Sequence, residues 1–189
     1  AIETLSGLSP PSRSSESLVA LWRAAQNNLG NAYRAAPFVP NNLARAEQAY
    51  RLALGNSNAT PALWDTVADN LASTLAQQAS AQNTAVPAEA FDLFQRVLAV
   101  RSVECCASAR AQTLVNLAGA ESINGEFASD LSLLESALRH YSEALSLLGP
   151  STDPRYWGMA QRGVGLTLDA MGAQGRREAF TGAAAAYQE

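Results

Sequence analysis

Apolar and small positions recur along this chain at helical spacing, and one pattern returns three times. Residues 22–33 read WRAAQNNLGNAY, 64–75 read WDTVADNLASTL and 157–168 read WGMAQRGVGLTL. Each stretch sets a stripe at i, i+4, i+7 and i+11: Trp22, Gln26, Leu29 and Tyr33; Trp64, Ala68, Leu71 and Leu75; Trp157, Gln161, Val164 and Leu168. That spacing lines one helix face and turns it to a core. A weaker copy, VNLA at 115–118 against DNLA at 69–72, puts Arg110 in the Trp slot and Leu114 in the next. The residue after the third stripe member is always small: Gly30, Ala72, Ala118 and Gly165. A close approach of another helix is expected there.

Pro- and Asn-rich punctuation falls at 37–42, 56–61, 80–87 and 149–154, and Gly125 breaks the 119–128 region. Eight helices are predicted: 16–36, 41–55, 61–79, 87–101, 104–123, 130–148, 153–172 and 176–188. Thr60-Pro61 and Asp153-Pro154 pair a cap with a Pro in the first turn, where a missing N–H costs nothing. Ser129 and Asp130 both suit the cap of the sixth helix. Residues 1–15, with two Pro and five Ser, read as an extended leader, and 16–189 as one helical repeat domain.

The second helix of each pair has its own signature. Ala46 precedes Tyr50, Ala90 precedes Phe94, Ala137 precedes Tyr141 and Ala183 precedes Tyr187, each by four residues. The aromatic acts as a knob and the small residues leave its hole. With Gln26, Leu29, Gly30 and Tyr33 ahead of Ala46 and Tyr50, the chain resembles the tetratricopeptide repeat, and 157–187 resembles its longer bacterial variety. The resemblance covers 16–189. It departs from the standard form in its period, in the third copy's lost aromatic and in the truncated fourth copy.

The resemblance implies an all-α fold: a right-handed solenoid of about four antiparallel helix pairs, whose first helices line a concave groove. Helix geometry then places Asn27, Asn28 and Asn31, next Asp69, Asn70 and Ser73, next Gln112 and Asn116, and last Arg162 and Leu166 on the groove face. Asn28, Asn70 and Asn116 fall at matching points. An amide both donates and accepts, so a ladder of them suits the backbone of an extended peptide. The family's carboxylate clamp uses Lys, Asn and Arg; here there is no Lys and only Arg162 stands near the face, which disfavours that mode.

Composition agrees with a helical reading. Alanine is about a fifth of the chain, apolar residues are 48% and charged ones 16%. Net charge is −4, all 13 basic residues are Arg, and no basic stripe carries interleaved aromatics, so nucleic acid is not an expected partner. No apolar run approaches a membrane span. The chain begins at Ala1, which fits a mature N-terminus left after export or organelle import, or a cut within a longer chain.

Candidate chemistry is sparse. His140 is the only histidine and lies beside the packing aromatic of a second helix, where a lateral or hydrogen-bond-satisfied residue is expected rather than a general base. Cys105 and Cys106 are adjacent; neighbours rarely bridge, and the pair is expected as two helix residues, one buried and one lateral. No metal spacing, catalytic constellation or cofactor motif appears, and the sequon at Asn58 is followed by Pro61. The expected function is a protein–protein interaction scaffold, or an accessory subunit of a multi-subunit complex or homo-oligomer, binding a protein or peptide partner. The alternative is a regulatory module of a longer signalling or protease protein that senses a peptide or small ligand.

Overall fold

The structure, a computed structural model, describes residues 16–55 and 61–175. Those residues are all helical between their turns: α1 (Glu16–Arg34), α2 (Asn42–Leu54), α3 (Pro61–Gln82), α4 (Ala88–Val100), α5 (Val103–Ala128), α6 (Leu131–Leu147) and α7 (Pro154–Ala173). The predicted helix at 176–188, the leader at 1–15 and Thr60 lie outside the described residues. No described helix is long and apolar enough to cross a membrane. The chain divides into two compact units, residues 1–78 and 79–189.

In the first unit α1 and α2 fold back on each other as a pair. The Asn42 amide donates to the Tyr33 carbonyl across the connecting turn at 3.3 Å. Ala46 and Tyr50 are fully buried, with Leu29 and Tyr33 opposite. Tyr50 lies against Gly30, where a Cβ would come within 2.5 Å of its ring. The Tyr50 hydroxyl donates to Asn31 Oδ1 at 2.8 Å. The small residue thus admits the aromatic, and the polar tip finds a partner at the edge.

The second unit repeats this device with an extra helix. Ala111, Leu114 and Ala118 of α5, Ala137, Tyr141 and Ala144 of α6, and Ala160 of α7 form one core. Burying one such large apolar side chain contributes about 1.5–3 kcal/mol, whereas the alanines mainly let the helices close. Tyr141 lies between α5 and α7: a Cβ added at Gly119 would stand 3.6 Å from its hydroxyl, and Gly163 faces its ring. A smaller cluster joins Leu134 of α6 to Met171 of α7. Helices α5 and α7 run in the same direction, linked by Ser122 and Thr167, whose hydroxyls are 2.6 Å apart.

Two helix starts show side-chain capping. Asp153 accepts from the Tyr156 N–H at 3.3 Å, with Pro154 in the first turn. Of the two candidates before α6, Asp130 is the cap, accepting from the Ser132 N–H at 2.9 Å. Ser129 instead ends α5 in the left-handed region, with φ 53°. Its N–H bonds the Glu126 carbonyl at 3.3 Å while the Asp130 N–H bonds the Gly125 carbonyl at 2.8 Å, closing the last turn.

Two expectations are corrected. Gly125 does not break the helix: α5 continues through it to Ala128, and glycine fits there because Leu134 occupies the space that a side chain at 125 would need. The cysteines are not two regular helix residues either. Cys105 and Cys106 are joined by a disulfide, and the Cys106 backbone leaves helical geometry at φ −148°, ψ 41°. An unbroken helix projects adjacent side chains about 100° apart, so a bridge between neighbours requires such a departure.

Candidate functional site

The groove residues expected from the sequence fall into three groups. Asn27, Asp69 and Ser73 are buried. Asn70 is half-buried and its Nδ2 donates to Asn27 Oδ1 at 3.1 Å, so these two amides join α1 to α3. Asn28 and Asn31 are exposed on α1, Asn31 being the acceptor for Tyr50. The matching positions of the amide ladder therefore have unlike settings: Asn28 faces solvent, whereas Asn70 and Asn116 are half-buried.

In the second unit Gln112 donates to Asp153 Oδ2 at 3.1 Å, tying α5 to the cap of α7. Arg162 is exposed, and Met159 and Leu166, one turn to either side of it, are 42% and 50% exposed. Gly163, next to Arg162 in sequence, is buried beneath Tyr141. A guanidinium between two outward apolar side chains is thus the exposed stripe of α7.

The bonding expected of an amide ladder occurs inside the chain at Asn124, which the sequence reading did not single out. Its Oδ1 accepts from the Val86 N–H at 2.6 Å and its Nδ2 donates to the Val86 carbonyl at 3.3 Å. The side chain clamps the extended connection between α3 and α4 onto α5. Beside this clamp lies a cavity of about 570 Å³ lined by Ala79, Ser80, Asn83, Thr84, Ile123, Glu126 and Phe127.

A second polar cluster was also missed. Glu121 is buried, and its Oε2 lies 2.7 Å from His140 Nδ1 while its Oε1 accepts from Ser136 Oγ at 3.0 Å. The signal was present: Glu121 stands eleven residues after Arg110, at the stripe position held by Tyr33, Leu75 and Leu168 in the other copies. The carboxylate is the hub here and both α6 side chains bond to it. A nucleophilic relay would instead place the serine hydroxyl on the imidazole. This arrangement fastens α6 to α5 and sets Glu121 near Tyr141, whose phenol burial pushes up to about 12.

No group of three or more potential metal ligands exists among the described residues. No protein-family model, curated protein or solved structure matches this chain.

Proposed function

We propose that the chain is a tetratricopeptide-like right-handed solenoid of four helix pairs acting as a protein–protein interaction scaffold or accessory subunit. The small-against-aromatic seats of Tyr50 on Gly30 and Tyr141 on Gly163 support the architecture. They stack helices through their small faces and leave the opposite faces outward. The observation that carries the binding role is the exposed stripe of Met159, Arg162 and Leu166. Outward apolar side chains flanking a cation suit a peptide that brings apolar anchors and an acidic group.

The test is gentle purification from the source with mass spectrometry of co-purifying protein. It is repeated with a double variant, Arg162→Glu with Leu166→Asp, and with Arg96→Glu as a remote charge control. A stoichiometric partner lost only with the double variant sustains the reading. A chain that emerges alone, or a partner held equally by all three proteins, counts against it.

A further inference from the structure

The cavity beside Asn124 is bounded by two helix ends of the same polarity. Ala79, Ser80, Asn83 and Thr84 come from the last turn of α3 and the residues after it, and Ile123, Glu126 and Phe127 from the last turns of α5. A helix C-terminus is the negative end of the helix dipole. α3 closes as α5 does: Asn83 turns left-handed at φ 52°, and the Thr84 N–H bonds the Ala79 carbonyl at 2.9 Å. A protein commonly places Lys, Arg or His at such an end. Neither α3 nor α5 has a basic residue in its last turn, and none stands among the described residues lining the cavity. Glu126 adds a full negative charge to the same wall.

Phe127 completes the pattern. It is a lining residue yet 54% exposed, an aromatic that the core does not use. The two-point clamp of Asn124 on Val86 holds the connection that follows α3 to α5, beside these walls. The geometry points to this cavity as a binding site for an organic cation, a guanidinium in particular. Glu126 pairs with the charge, the Ser80, Asn83 and Thr84 side chains accept its N–H groups, and Phe127 covers one face. A bare metal ion suits the site less well, since the space far exceeds one ion and a phenyl ring supplies no ligand atom. The guanidinium could belong to a free small molecule or to an arginine of a partner chain. The site stands independently of the proposed peptide contact at Arg162.

The experiment is calorimetric titration of the full chain with two probes, agmatine and N-acetyl-arginine amide, with N-acetyl-citrulline amide as the uncharged isostere. Saturable binding of either cation, absent for citrulline, is expected. Glu126→Gln should weaken it about tenfold and Phe127→Ala about threefold, with Asp92→Asn as a remote charge control that leaves it unchanged. Glu126, Phe127 and Asp92 are exposed, and circular dichroism verifies that each variant is folded. Tighter binding of agmatine assigns the site to a free cation, and tighter binding of the amide to a partner's arginine; both sustain it. Absence of binding by both probes, equal binding of citrulline, or equal loss in Asp92→Asn overturns it.

Discussion

Tyr141 packs directly against Gly163, and a single methyl group on that glycine would overlap its ring. The same relationship holds between Tyr50 and Gly30 at the other end of the described chain. In each case the aromatic comes from one helix and the gap from its neighbour. Neither side chain could be enlarged without moving a helix.

Gly163→Ala is therefore expected to destabilise the fold, although alanine favours a helix by about 1 kcal/mol over glycine. Overpacking against a buried ring costs about 1–3 kcal/mol and the backbone gain offsets part of it. Gly158 on the same helix has no neighbouring atom within 4 Å of an added Cβ. Gly158→Ala should then stabilise by about 0.5–1 kcal/mol. Urea melts of the two variants give shifts of opposite sign, and a shared sign would refute the seat.

Alkaline pH gives a second handle on the same residue. Burial raises the Tyr141 phenol to about 12 from 10.0; the Ser122 hydroxyl opposes this and the Glu121 charge adds to it. The neutral phenol is the folded form. Its contribution is complete below pH 10, the unfolded value, and is lost as pH climbs through 12. The predicted loss over that window is roughly 3 kcal/mol, from about 1.4 kcal/mol per pH unit. Tyr141→Phe, which has no proton to lose, should show a shallower fall in stability between pH 10 and 12. Parallel curves for the two proteins would contradict the burial of this hydroxyl.

The sequence yields the helices well where a boundary carries local chemistry: Asp153-Pro154 and Asp130 act within one turn of themselves. It misplaces features whose cause is distant. Gly125 reads as a breaker, yet Leu134 in the next helix makes glycine the residue that fits. The third copy looks merely degenerate, because Arg110 and Glu121 replace apolar stripe members. Their partners, Glu143 and His140, lie 33 and 19 residues further on. Both arrive from α6, so this helix pair exchanges two apolar contacts for two polar ones. The cavity was illegible for the same reason: the clamp beside its walls, Asn124 on Val86, spans 38 residues.

The adjacent cysteines give a chemical prediction. With Cys105 and Cys106 bridged, no thiol should react with an aromatic disulfide reagent in denaturant until a reductant is added. Two reactive thiols per chain should then appear, and the intact mass should rise by two hydrogens. Two thiols before reduction would return Cys106 to the regular helix expected from the sequence.

Arg110 offers the clearest separation of one interaction into parts. Its Nη1 donates to the carbonyls of Leu98 at 3.1 Å and Arg101 at 3.2 Å, closing the end of α4. Its Nε and Nη2 reach Glu143 Oε1 at 3.1 and 2.9 Å. The Glu143 side chain is 42% exposed, so solvent screens the ion pair, and such pairs contribute about 0–1 kcal/mol. The carbonyls are a different case: they are the last acceptors of a helix, and hydrogen bonds from a charged donor contribute about 1.5–3 kcal/mol. Arg110→Ala should therefore cost about 2 kcal/mol, while Glu143→Ala should cost under about 1 kcal/mol. A double-mutant cycle by urea denaturation should return a coupling below about 1 kcal/mol. Arg110→Lys keeps the charge but loses the fork that reaches two carbonyls and a carboxylate together, so it should recover less than half of the loss. A coupling that accounts for most of the Arg110→Ala cost would place the stabilisation in the ion pair instead of the helix end.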